Sequence, residues 1–309
     1  MDKMLISGGN GFLGSHLAER AIREGLKVTV LDDFSTSNRV NVPTEVTIIK
    51  ERVEDISIQD NFEYIIHLAA RPSPEDYILN PVETLMSNSL GTLKLLELAK
   101  RGNSRFVYTS SSEVYGNATM IPTPETYYGY VSSWGIRSCY DEGKRYSEAL
   151  TMAYHRKFGL DTRIQRPFNV YGPRIRPDGL YGRVVPRFIQ QALNGENITI
   201  HGDGKQTRSF LYVDDWVDAT WRMITVDDLD GNIFNIGSPD EITILEFANL
   251  IVKKTKSPSK IVHVEKREDD PVRRSADITK AKNLLGWKPE TNLDRGLQGT
   301  IEWIRRDAM

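Results

Sequence analysis

Gly8-Gly9-Asn10-Gly11-Phe12-Leu13-Gly14 follows a short apolar run and opens a helical pattern. Glycines at 8, 11 and 14 permit a tight turn, a close backbone approach to a pyrophosphate, and close packing of helix on strand. The helix start then offers amide donors and the positive end of its dipole to a phosphate. Asp32 closes the next strand-like run, where a carboxylate can accept hydrogen bonds from both ribose hydroxyls. Asp33 sits beside it, and no arginine follows at once to pair a 2′-phosphate, so the spacing predicts NAD rather than NADP. Asp55-Ile56, after the third run, is placed to reach the adenine.

Tyr140 and Lys144 stand four residues apart in Tyr140-Asp141-Glu142-Gly143-Lys144, on one face of a predicted helix. A free phenol titrates at about 10, too high for a base at neutral pH. A neighbouring ammonium and a positively charged nicotinamide would stabilise the phenolate and let it take a proton from a substrate hydroxyl. Thr109-Ser110-Ser111-Ser112-Glu113 ends the fifth strand-like run, where sheets of this kind bind ligands. Ser111 would hold the oxygen that Tyr140 deprotonates. Arg208 and Arg274 offer guanidinium forks suited to a diphosphate. Cys139 reads as a small packed side chain, and His67, ending an apolar run, as a structural histidine.

These groups need a scaffold, and the first half of the chain spells one out. Met4–Ser7, Val28–Leu31, Val46–Ile49, Tyr64–Ala69 and Phe106–Ser110 are short and apolar, while Gly14–Gly25, Pro81–Gly102 and Tyr140–Phe158 have helical spacing. In the second helix Leu90, Leu93, Leu95, Leu96 and Leu98 share one broad face. Such alternation predicts an α/β fold, a Rossmann-type doubly wound parallel sheet. After Asp161 the rhythm changes: strands at Thr162–Arg166, Ile198–His201, Asn232–Ile236 and Ile261–Val264, a helix at Val185–Leu193, and helices from Ile242 and at the end. We expect an NAD-binding domain over 1–165, with segments around 211–236 returning to it, and a smaller C-terminal α/β substrate-binding domain over 166–309.

Composition narrows the partners. Forty basic against 42 acidic side chains leave a formal charge of −2, so no field favours nucleic acid or an anionic membrane. One cysteine excludes an internal disulfide, and the five histidines show no metal-ligand spacing. No apolar stretch approaches a membrane span, and Met1–Ile6 runs straight into a strand pattern without a leader. The expectation is a cytoplasmic enzyme without metal.

Gly8–Gly14, the serine run and Tyr140…Lys144 resemble the extended short-chain dehydrogenase/reductase family that acts on nucleotide sugars, over nearly the whole chain. Within it the chain is most similar to members that decarboxylate UDP-glucuronate. The segments concerned are Ser111–Gly116, Arg137–Arg145, Phe168–Arg174, Gly182–Val185, Gly202–Phe210 and Asp269–Pro271, of which Arg137–Arg145 is the most specific. The resemblance implies a tightly bound, recycled NAD and a UDP-sugar substrate. It also implies C4 oxidation, loss of CO2 and re-reduction to UDP-xylose, in a homodimer packed through the helices around Tyr140. It gives catalysis to Tyr140, Lys144, Ser111, Glu113 and Arg274, with Glu113 positioning the sugar and a water and Arg274 donating through water. The cofactor would be held by Gly8, Gly11, Phe12, Leu13, Gly14, Asp32, Asp33, Asp55, Ile56, Leu68, Ala69, Ala70, Tyr140 and Lys144. Asn169, Arg183, His201, Arg208 and Arg274 would contact substrate.

Related dTDP-glucose 4,6-dehydratases carry an aspartate where this chain has Ser112, so the acid for water loss is absent; GDP-mannose 4,6-dehydratases share the serine-glutamate form but lack the Arg137–Arg145 run. Ala70-Arg71-Pro72-Ser73-Pro74 departs from the decarboxylase pattern, and Arg71 would either meet a substrate carboxylate or mark another sugar. Tyr130–Trp134 departs too, and Arg174–Gly179 is similar to UDP-glucuronate 4-epimerases. A UDP-glucuronate or UDP-hexose 4-epimerase is the alternative, with a nucleotide-sugar 4,6-dehydratase after it.

Overall fold

The computed structural model describes residues 2–37, 39–177, 183–266 and 273–307. In chain order the first half contains β1 (Lys3–Ser7), α1 (Phe12–Arg23), β2 (Lys27–Leu31), β3 (Thr47–Ile49), β4 (Tyr64–His67), α2 (Pro74–Leu79), α3 (Pro81–Gly102), β5 (Arg105–Thr109), a 3-10 turn at Ser112–Tyr115, α4 (Ser138–Phe158) and β6 (Thr162–Pro167). The second half contains β7 (Val170–Tyr171), α5 (Val184–Leu193), β8 (Ile198–His201), β9 (Thr207–Ser209), β10 (Leu211–Tyr212), α6 (Val213–Thr225) and β11 (Asn232–Ile236). Then come β12 (Glu241–Thr243), α7 (Ile244–Thr255), β13 (Ile261–Val264), β14 (Arg273–Arg274), α8 (Thr279–Leu285) and α9 (Leu293–Asp307).

Seven parallel strands form the main sheet in the order β11-β6-β5-β4-β1-β2-β3, the doubly wound arrangement expected from the alternation. Side chains alternate across it. Met4, Ile6, Val30, Ile66 and Val107 pack against α1 and α6 on one face; Leu5, Ile65, Phe106 and Tyr108 pack against α3 and α4 on the other. Full burial of each such side chain stabilises the fold by about 1.5–3 kcal/mol. The order reverses between β1 and β4, which opens a crevice at their carboxyl ends.

Strand β4 stops at His67, two residues short of the apolar run. His67 is buried between the Ser7 and Thr92 hydroxyls at 2.7 and 3.1 Å, and burial lowers its pKa to about 3. Helix α3 differs from its apolar pattern in a way that matters for the site. Leu95, Leu96 and Leu98 enter the core, but Leu90 and Leu93 are only half-buried. The buried positions of its earlier turns are Thr84, Asn88, Gly91 and Thr92. They receive α4 closely: a Cβ on Gly143 would meet Asn88 at 3.2 Å, Thr92 lies 3.1 Å from the Ser147 hydroxyl, and Ser147 bonds the Asn88 carbonyl. Small and polar side chains are what that close approach requires, and it fixes the start of α4 over the ends of β4 and β5.

The second half builds its own core from α5, α7 and α9, with Phe188, Phe247, Ile251, Leu297 and Ile301 buried. β8 and β13 pair in parallel, and β12-β9-β14 form a small sheet in which Arg274 stands in register with Arg208. Asp269–Pro271, Gly182 and Asp178-Gly179 lie outside the described residues. Among those described, no helix is long and apolar enough to cross a membrane.

Candidate active site

One cavity of about 1020 Å³ runs from the glycine loop, past the ends of β4 and β5, to the sheet carrying Arg208 and Arg274. At one end Gly8 adopts φ +68°, and a Cβ there would lie 2.7 Å from the Ala69 nitrogen. A Cβ on Gly14 would fall 2.4 Å from the Gly8 carbonyl oxygen. Gly11 caps α1 without a side-chain bond, so the first amides of the helix face the cavity that Gly11, Phe12 and Leu13 line. This cradle, lined also by Leu68, Ala69 and Ala70, has the shape and donor set that a dinucleotide pyrophosphate needs.

Asp32 follows β2 and accepts from the Asn10 and Phe34 amides at 3.0 and 2.9 Å. Burial raises its pKa, the two amides oppose that, and Asp33 adds to the rise. Asp33 lines the same wall and accepts from the Ser35 amide and hydroxyl. Asp55 and Ile56 are placed otherwise than the sequence suggested. Asp55 is exposed, Ile56 is buried in the core, and neither lines the cavity; Glu51, Arg52, Val53 and Glu54 do. The turn at Arg52–Asp55 rotates the acid outward.

At the centre, α4 delivers Tyr140 and Lys144. Tyr140 is buried and stacks on Tyr77 of α2, ring centres 5.2 Å apart and planes 9° from parallel. Lys144 is 3% exposed; its Nζ donates to the Thr109 carbonyl at 2.9 Å and lies 5.8 Å from the Tyr140 ring centre. Burial lowers the lysine to about 7, with Glu148 opposing. Burial also pushes the Tyr140 phenol up to about 12, although Arg183 and the Ser111 hydroxyl pull it down. Ser111 caps the 3-10 turn, its oxygen accepting from the Glu113 amide at 3.2 Å. Cys139 is packed, with its thiol on the Tyr77 carbonyl at 3.5 Å.

Glu113 is held from two sides. Arg274 of β14 grips both its oxygens, Nη2 at 3.0 Å, and Arg137 at the start of α4 donates to Oε2. Burial acts to raise this carboxyl, but Arg274 and Arg137 outweigh it and bring it down to about 2. Arg274, offered to a diphosphate by the sequence, here pairs its guanidinium with Glu113. Arg208, buried in the next strand, lines the same cavity, with Nη1 on the Thr207 carbonyl at 2.8 Å. Asn169 donates to the Ser209 carbonyl at 2.9 Å and His201 meets the Glu265 carbonyl at 3.1 Å; both line the cavity. Arg183 is exposed at the rim and reaches the Pro72 carbonyl at 3.2 Å. Arg71 faces the cavity, yet its charge is balanced by the buried Asp76 at 2.8 Å.

Tyr77, Arg137 and Asp141 are among the residues at the site that went unassigned in the sequence. The last two belong to the most specific run and flank Tyr140, which is the signal that could have found them. Among the described residues no group of His, Cys, Asp or Glu is arranged to hold a metal ion.

The NAD dependent epimerase/dehydratase family matches residues 4–237. The chain is 46% identical to UDP-glucuronic acid decarboxylase 4 of Arabidopsis thaliana over 98% of its own length and 69% of the relative's. Its fold is similar to that of a UDP-glucose 4-epimerase from Thermotoga maritima, solved with UDP-glucose, at TM-score 0.93 and 32% identity over 99% and 100% of the two chains. MoeE5, solved with UDP-glucuronic acid and NAD, is similar at TM-score 0.88 and 29% identity over 99% of each chain. With a family match over most of its length and a relative of such identity along nearly all of it, this chain belongs to the NAD dependent epimerase/dehydratase family.

Proposed function

We propose that the protein is an NAD-dependent UDP-glucuronate decarboxylase that forms UDP-xylose. The observation that carries this reading is Glu113, a carboxylate kept ionised by Arg274 and Arg137 beside Tyr140. An acid held so far below neutrality does not protonate a leaving hydroxyl, so the site is built for a step other than water loss. Arabidopsis UDP-glucuronic acid decarboxylase 4, 46% identical, supports the same substrate.

Tyr140 takes the proton of the C4 hydroxyl, with Ser111 holding that oxygen and Lys144 stabilising the phenolate. NAD, held by the glycine cradle and Asp32, supplies the hydride chemistry at C4. The 4-ketone stands β to the C5 carboxylate; when the bond to that carboxylate breaks, its electron pair moves onto the C4 oxygen and CO2 leaves. Glu113 fixes the sugar and a water during this step, and Arg274 holds charge and relays a proton to C5. Reduction at C4, with the proton returned by Tyr140, closes the cycle.

The exposed apolar side chains Leu79, Val82, Leu85, Met86 and Tyr146 on α2, α3 and α4 support a homodimer packed through these helices. The single buried cysteine suits a reducing cytoplasm. A 4-epimerase is the second reading, favoured by the similarity to a solved UDP-glucose 4-epimerase. Incubation with NAD+ and UDP-glucuronate, with CO2 assay and NMR of the nucleotide sugars, separates the two. UDP-xylose and CO2 are expected; a six-carbon uronate as sole product overturns the proposal.

A further inference from the structure

Two of the charged groups in the run Arg137–Arg145, Arg137 and Asp141, sit against Glu113 yet carry out no step of the reaction above. Arg137 precedes the first turn of α4 and lies between two carboxylates: Nη2 donates to Glu113, and Nε faces Asp141 Oδ2 at 3.6 Å. Asp141 is 6% exposed, and its Oδ1 has no hydrogen-bond partner among the described residues. The Tyr77 phenol, from α2, is likewise buried and unpartnered there. Glu113, Arg137, Asp141 and Arg274 thus form one chain of charges from the turn after β5, the start of α4, and β14.

We infer that Arg137 and Asp141 are positioning residues for the carbon–carbon cleavage, Arg137 fixing the Glu113 carboxylate in the cavity and Asp141 fixing Arg137. The inference rests on the decarboxylase reading and deepens it. Decarboxylation and 4-epimerisation share the oxidation by Tyr140 and part company only at the 4-ketone. Epimerisation needs the ketone to present its other face to a coenzyme that does not move. A carboxylate locked by two guanidiniums resists that turn and keeps C5 in place for loss of CO2. Arg274 holds both oxygens of Glu113 from β14, and Arg137 supplies a second anchor from a different element.

Asp141 also makes the anchor pH dependent. It is faced by Arg137 on its own helix, by Glu113 from the 3-10 turn, by Arg274 from β14 and by Tyr77 from α2. Burial and the Glu113 charge raise it, the arginines oppose, and it titrates at about 7. Ionised Asp141 pairs with Arg137 and holds its guanidinium in place; neutral Asp141 gives up that pair and loosens the anchor.

The test uses the NAD-loaded protein with UDP-glucuronate. Stopped-flow absorbance of the reduced nicotinamide reads C4 oxidation, while CO2 release reads cleavage. R137K and D141N should stay folded and keep NAD+ binding and the oxidation rate near native, and CO2 release should fall by up to about 10²-fold, the cost of a small misplacement. R137A should lose more than R137K, and D141N should flatten the pH dependence of CO2 release around neutrality. Equal loss in both steps, or in neither, overturns the inference. If R137K does not fold, the near-isosteric D141N carries the same comparison. A native protein that oxidises C4 and releases no CO2 overturns the decarboxylase reading instead. Carboxyl 13C NMR then decides the anchor itself: it predicts that Glu113 titrates at higher pH in R137K than in the native protein, and an unchanged titration overturns it.

Discussion

Arg274 and Glu113 lie 161 residues apart in the chain and meet in a two-point ion pair inside the cavity. One comes from the small sheet of the second half, the other from the turn that ends β5. If this pair serves the steps after oxidation, Glu113→Gln and Arg274→Gln should leave the initial reduction of NAD largely intact. E113Q should slow CO2 release, and R274Q should slow protonation at C5 or the final reduction, so that a 4-keto species accumulates. In D2O the native protein should place deuterium at C5 of the pentose. Absence of deuterium there, with normal turnover, would remove the pair from the mechanism.

Tyr140→Phe keeps the stacked ring on Tyr77 and deletes the base. C4 oxidation should fall about 10²–10⁴-fold, the usual weight of a positioned proton acceptor. NAD+ binding, followed by fluorescence titration, should persist. Near-native turnover would discard the assignment.

Asp141 and Lys144 bend the stability curve in opposite directions. A carboxyl whose folded pKa is about 7 binds more protons folded than unfolded between pH about 4 and 7, so it makes stability fall as pH rises through that window. A lysine whose folded pKa is about 7 binds fewer protons folded than unfolded above 7, so it makes stability rise from there towards pH about 10. Denaturant titrations across pH should show D141N losing less stability than native from 4 to 7. K144M should lack the gain above 7. Parallel curves for native and variants would contradict the burial of these charges.

Asp32 is half-buried and already accepts two amides, leaving a negative group beside the ribose position. The native protein should bind NAD+ well above NADP+, and Asp32→Ala should narrow the gap mainly by weakening NAD+. Isothermal titration with both coenzymes decides this. Equal affinities in the native protein would sink the role of Asp32.

Gly14→Ala sets a methyl 2.4 Å from the Gly8 carbonyl oxygen, against backbone that cannot step aside. Overpacking of this kind typically costs 1–3 kcal/mol, so the melting point should drop and NAD+ affinity with it. An alanine variant that binds NAD+ normally would show the cradle to be looser than its contacts imply.

The doubly wound sheet and the glycine cradle were legible in the chain because both are local. Apolar runs of period two or near-continuous burial declare strands, and Gly8 and Gly14 declare a turn too tight for a side chain at either position. The Tyr140–Lys144 face was legible for the same reason, as helical spacing. Asp55 was misplaced because a single turn of backbone decides which of two neighbouring acids looks inward. The state of the charges was decided only by the tertiary structure. Glu113 is pinned as an anion because Arg274 arrives from β14 and Arg137 from the start of α4. Tyr140 is raised and Lys144 lowered because α4 sinks into the polar groove of α3 and takes both out of water. Spacing along a chain sets which groups can share a face; which charges they meet, and how much water is left around them, depends on elements folded in from far away.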